Sequence, residues 1–118
     1  MTTFTPQNQV PMVIRPGVSF YRTIILQDDS GNVKDLTGFS YFCQVRTESG
    51  GALLAAMAVD VTAAQGRVDF SLSLDNTKLI GETGGVYDVI EQEDADPQGN
   101  TNYLFGGNVE VLPTVTEV

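Results

Sequence analysis

The sequence predicts an all-β fold, an antiparallel β-sandwich of about seven strands with one short helical turn. Apolar residues recur at every second position through most of the chain, which is the period of a half-buried strand. Clusters of Gly, Asn, Asp and Ser break these runs at 28–32, 49–51, 65–66, 81–85 and 94–100. The length, 118 residues, suits one domain whose core needs neither metal nor disulfide.

From Val18 to Gln27, the set Val18, Phe20, Arg22, Ile24 and Leu26 alternates with Ser19, Tyr21, Thr23, Ile25 and Gln27. Both sets hold apolar residues, so this strand is expected to switch faces or to lie between two layers. A turn at Asp28–Asn32 follows. Phe39 to Thr47 alternates again, with Phe39, Tyr41, Cys43 and Val45 on one face. Ala52–Ala58 is rich in helix formers, yet Gly50 and Gly51 precede it and β-rich Val59–Val61 follows, so it reads as a strand. In Arg67 to Leu74, Val68, Phe70, Leu72 and Leu74 point in while Arg67, Asp69, Ser71 and Ser73 point out. Asp75–Ile80 predicts a turn of helix capped by Asp75 and closed by Gly81. Val86–Glu91 and Tyr103–Leu112 complete the strands, the latter with a bulge or bend expected at Gly106 and Gly107. Residues 1–9 and 113–118 are a polar arm and tail on a single domain spanning 1–118.

Composition narrows the chemistry. The chain has no histidine, so a Ser-His-Asp or Cys-His site cannot be built and the commonest zinc ligand is missing. Cys43, the one cysteine, falls on an apolar strand face and reads as a small buried hydrophobe. The glycine pairs sit in turns, outside the strand-to-helix context of a phosphate-binding loop. Asp88, with Glu91, Glu93, Asp94 and Asp96 just beyond it, offers carboxylates for a catalytic pair, but a domain this small without tryptophan is a poor host for a sugar-cleaving pair. No catalytic residue, cofactor or metal is expected.

Asp94, Asp96 and Gln98 with Gly99 copy the start of a calcium loop, but the position that needs a bidentate Glu is Phe105, so a hairpin loop is expected. Net charge is −9 and the basic residues Arg15, Arg22, Lys34, Arg46, Arg67 and Lys78 are scattered singly. Binding to nucleic acid, which needs clustered cations, is not expected. The longest apolar run, Ala52–Val59, is too short to span a bilayer. The first residues lack the basic start and apolar run of a signal peptide, which predicts synthesis in the cytoplasm.

The order of features from Gly17 onward carries a resemblance. A turn, Asp35-Leu36-Thr37-Gly38, opens the strand ending in Arg46; Gly66–Leu74 and Gly85-Val86-Tyr87-Asp88 follow; and Gly106-Gly107-Asn108-Val109 runs on to Thr116. This pattern, over about residues 15–116, resembles the small immunoglobulin-like β-sandwich domains of tailed bacteriophages, found in upper baseplate proteins and in collar or tail-fibre adaptors. Antibody-type domains are excluded by the absence of tryptophan and of a cysteine pair. The resemblance implies a non-enzymatic virion protein on the tail or baseplate. It would form a homo-oligomeric ring that bridges other virion proteins to fibres or receptor-binding proteins.

Partner-facing residues are expected where apolar or acidic groups stand exposed. These are Phe4, Pro6, Val10 and Met12 in the arm, Asp94 and Asp96 at a loop tip, and Val115 and Val118 in the tail. The arm residues have a second reading, as the first strand of this domain. Tyr87 is expected to tether its hydroxyl to a loop, as a tyrosine corner does. A capsid decoration protein, a carbohydrate-binding module using Tyr21, Tyr41, Tyr87 or Tyr103, and a calcium-dependent module are the alternatives.

Overall fold

A computed structural model of the chain describes residues 10–81 and 84–114. Among these, the strands are β1 (Met12–Ile14), β2 (Phe20–Ile25), β3 (Phe39–Arg46), β4 (Leu53–Ala56), β5 (Ala58–Thr62), β6 (Arg67–Leu72), β7 (Gly85–Glu93) and β8 (Thr101–Val111). A helix, α1 (Leu74–Ile80), joins β6 to β7. One sheet runs in the order β1-β8-β7-β3-β4 and the other in the order β2-β6-β5. Every pairing is antiparallel except that of β1 with β8.

The order is immunoglobulin-like. β2, β6 and β5 take the places of strands B, E and D, and β3, β7 and β8 those of C, F and G. β4 extends the second sheet beyond C, as in variable-type domains. The predicted all-β sandwich is therefore the fold observed.

Alternation explains which face each strand buries. Tyr41, Cys43 and Val45 of β3, Val68, Phe70 and Leu72 of β6, and Tyr87 and Val89 of β7 point into one core with Met12, Ile14, Leu26 and Leu36. β2 does not switch faces. Phe20, Arg22 and Ile24 are half-buried while Tyr21, Thr23 and Ile25 are exposed, so its second apolar set faces outward. The helix-prone run at 52–58 forms strands, split by Met57. This buried residue donates its N–H to the Cys43 carbonyl (2.9 Å), leaving β4 beside β3 and β5 beside β6.

Three local expectations need correction. α1 is capped by Ser73, whose Oγ accepts from the Asn76 N–H (3.2 Å), not by Asp75. The cap ends β6 at Leu72, so Leu74 begins the helix and stands exposed. The irregularity in β8 falls at Leu104, where the register steps from Val89–Phe105 to Ile90–Tyr103. Leu104 and Phe105 are both buried, and two consecutive inward residues require such a change of phase. Gly106 and Gly107 pair regularly instead, and their role is close approach. A Cβ on Gly106 would lie 2.5 Å from the Tyr87 carbonyl oxygen, and one on Gly107 would lie 2.7 Å from that of Val10.

Candidate interaction surfaces

The most constrained polar group lies inside the sandwich. Glu91 continues the inward phase of Tyr87 and Val89 on β7 and is 2% exposed. Tyr41 donates its hydroxyl to Glu91 Oε2 (2.6 Å), Lys34 Nζ lies 3.1 Å from the same oxygen, and Asn102 Nδ2 lies 3.4 Å from Oε1. Lys34 also sits 4.3 Å from the centre of the Phe39 ring. Burial, then the Glu91 hydrogen bond and charge, pushes the Tyr41 hydroxyl well above its usual range. The network ties the β2–β3 connection to the end of the larger sheet, and its donors and acceptors are spent on one another. It is a structural lock. The signal for it in the sequence is an acid in the inward register of an apolar strand, two positions after Val89.

A second tie replaces the inter-sheet disulfide of antibody domains. Inward-facing Arg22 donates from Nη1 to the Tyr87 hydroxyl (3.3 Å) and from Nη2 to the Pro11 carbonyl (3.4 Å). The Tyr87 hydroxyl in turn donates to the Val10 carbonyl. That acceptor lies outside the strands and 77 residues upstream, so the expected tether of the hydroxyl to a loop is present, over a longer range than a tyrosine corner spans.

Phe4, Pro6, Val115 and Val118 lie outside the described residues. Met12 is in β1, 2% exposed and opposite Val109, so its side chain belongs to the domain's own core and is not an exposed docking group. Val10 is half-buried against the core and donates its N–H to the Gly106 carbonyl (3.0 Å). The strand reading is observed for Met12, with Val10 packed against the core just before β1. Asp94 accepts from Ser40 Oγ (2.5 Å), and Asp96 accepts from the N–H groups of Gln98 (2.9 Å) and Asn100 (3.3 Å). These carboxylates shape their hairpin loop. Among the described residues no group of three or more His, Cys, Asp or Glu side chains could hold a metal.

The two outer faces differ in how far they satisfy themselves. On the smaller sheet, Arg67 pairs with Asp69 (3.0 Å) and donates to the Tyr21 hydroxyl (3.3 Å), while Thr23 donates to Asp69 (2.5 Å). Asp69 and Arg67 are therefore internally matched. At the margin of this sheet, β2 pairs only with β6 among the described residues, which leaves its other edge open. The edge runs Phe-Tyr-Arg-Thr-Ile-Ile, with Tyr21 62% and Ile25 49% exposed. Beside it opens a mainly apolar slot of about 220 Å³, lined by Val10, Arg22, Thr23, Ile24 and Phe105.

On the larger sheet, Phe42, Ile90 and Tyr103 are in register across β3, β7 and β8 and form an outward apolar row. Phe42 is 48% and Tyr103 52% exposed. Next to this row lies an open groove of about 490 Å³ whose lining includes Gln44, Arg46, Asp88, Tyr103 and Asn108. The four tyrosines thus divide: Tyr41 and Tyr87 are buried, Tyr21 and Tyr103 stand on opposite outer faces.

No family model matches the chain, and no curated protein matches it either. Among solved structures, the chain is similar to one in the crystal structure of the ZIG-8–RIG-5 IG1–IG1 heterodimer. The identity is 14%, the TM-score 0.48, and the match covers 95% of this chain and 90% of that one. The immunoglobulin-like assignment rests on the strand order and register given above.

Proposed function

We propose that the chain is a non-enzymatic virion structural protein of a tailed phage. It assembles in several copies on the tail, collar or baseplate as an adaptor for fibres or receptor-binding proteins. The motif resemblance from Asp35 to Thr116 supplies the phage context. The open edge of β2 is the observation that supports assembly. A six-residue strand spans roughly 20 Å. Among the described residues no strand pairs with its outer N–H and C=O groups, which are a template for an added strand, and natural proteins blunt such edges with Pro, Lys or inward-pointing charges. β2 has no Pro or Lys, its one charge, Arg22, is engaged inward by Tyr87 and Pro11, and its outer face presents Tyr21 and Ile25. An extended segment of a neighbouring virion protein would gain main-chain hydrogen bonds along the edge and place alternate side chains in the slot at Val10, Ile24 and Phe105.

The test is assembly of the intact protein, measured by analytical ultracentrifugation and by co-sedimentation with purified tails of the encoding phage. The wild type is expected to sediment with tails and to self-associate. The double variant Tyr21→Lys with Ile25→Lys, both at exposed positions, is expected to fold and to lose both properties. A monomeric wild type that binds neither tails nor capsids overturns the proposal. Binding to capsids alone would make the protein a shell decoration instead.

A further inference from the structure

The groove on the outer face of the larger sheet is remote from the β2 edge in the fold, and its chemistry is different. Tyr103 forms part of its lining, and Gly106 gives that ring room. A Cβ on Gly106 would stand 2.8 Å from the Tyr103 hydroxyl oxygen, so the side chain lies along β8 over a residue with no side chain of its own. The bulge at Leu104 makes this geometry, because it brings Tyr103 and Gly106 to the same face, next to Ile90 and Asp88 of β7.

The polar groups around the ring are ordered by what they already bind. Arg46 donates from Nη1 to the Gly51 carbonyl (3.0 Å) and from Nη2 to Gln44 Oε1 (2.9 Å). With its oxygen engaged, Gln44 offers its amide NH₂ as a donor. Asp88 offers acceptors only, whereas Asn108 and the Tyr103 hydroxyl offer both functions. No side-chain hydrogen bond occupies Asp88, Asn108 or Tyr103 among the described residues.

We propose that this groove is a binding subsite for a neutral carbohydrate, one or two pyranose rings of an oligosaccharide. A hydroxyl-rich ligand both donates and accepts, and it matches a rim carrying both functions. An aromatic ring exposed in the lining meets the apolar C–H face of a pyranose with its own apolar body, while the planar amide and carboxylate groups reach the hydroxyls. A phosphate or sulfate would need donors and positive charge. Here the only cation, Arg46, is already engaged, Asp88 is adjacent, and the chain carries −9 overall. The volume falls within the roughly 300–1,000 Å³ of small-molecule sites, and the groove's openness to solvent makes affinity in the weak range the expectation.

The experiment titrates the full chain, labelled with nitrogen-15, with maltose, cellobiose, lactose and chitobiose, and follows amide shifts. A glycan array then extends the panel to longer neutral glycans. At least one neutral glycan is expected to bind. Amide shifts with it should cluster at Gln44, Asp88, Tyr103 and Asn108, and its affinity should fall at least tenfold in Tyr103→Ala and in Asn108→Ala. Both positions are exposed, so these variants are expected to keep the native spectrum elsewhere. Tyr21→Ala, on the opposite face, is expected to bind as the wild type does. The proposal is overturned if no neutral glycan binds in either format, if binding survives Tyr103→Ala, or if the shifts map to Tyr21. Binding confined to anionic glycans overturns it as well.

Discussion

Replacing Glu91 by Ala is expected to be among the more costly single changes on β7, although Glu91 touches no proposed partner. The substitution takes away the acceptor of the Tyr41 hydroxyl and the counter-charge of Lys34, whose side chain is only 16% exposed. Breaking a buried ion pair by removing one partner costs roughly 3–5 kcal/mol, because the remaining charge stays desolvated. Lys34 keeps some access to water and its place over Phe39, which favours the low end, about 3 kcal/mol. At ~4 °C per kcal/mol for a domain of this size, the melting temperature should drop by about 12 °C. Glu91→Gln keeps an acceptor for Tyr41 and should cost about 1–2 kcal/mol, the charged share of the interaction. Urea unfolding of Glu91→Gln, Lys34→Met and the double variant closes a cycle. It should return a coupling of roughly 1–2 kcal/mol between the two side chains. A loss below about 1 kcal/mol for Glu91→Ala, or a coupling of zero, would refute the reading of this network as a lock.

Other consequences follow from the same geometry. Burial, and then the nearby Asp88 charge, pushes the Cys43 thiol up to about 12. It should therefore resist a thiol reagent in native buffer and react fully only after unfolding in guanidinium; full native reactivity would contradict its buried placement. Asp35 is held below its ordinary value of 3.8 by the Thr37 hydroxyl and N–H, and Asp69 by the Thr23 hydroxyl first and then by Arg67. Because their folded values are the lower ones, the stability they lend is present above pH 3.8 and is lost as pH falls through the folded values. The urea midpoint should drop on acidification below that pH, and less steeply in Thr37→Val; an unchanged acid limb in that variant would remove Asp35 from the account.

Much of the sandwich was legible because alternation reports burial directly: β3 and β6 declare their inner faces residue by residue. The β2 ambiguity was not resolvable from pattern. An apolar residue on an outer face, such as Ile25, looks the same in sequence as one in the core, and only the neighbouring strand decides. The helix cap went to Ser73 because β6 ends earlier than its alternation does, and the bulge went to Leu104 because two adjacent apolar residues outranked two glycines. Among the surfaces, the acidic loop tip was visible but spends its carboxylates on itself, and Met12 was visible but belongs to the core. The β2 edge and the Tyr103 groove were hidden for another reason. An open edge is a property of strand order, and the groove joins residues from β3, β7 and β8 that alternation places on a face but does not bring together.

The proposed docking role of the β2 edge is tested most directly by hydrogen exchange of the intact protein, free and mixed with purified phage tails. The account predicts that the amides of Phe20–Ile25 gain protection on binding. Protection confined to other strands, with β2 exchanging as in the free protein, would contradict it.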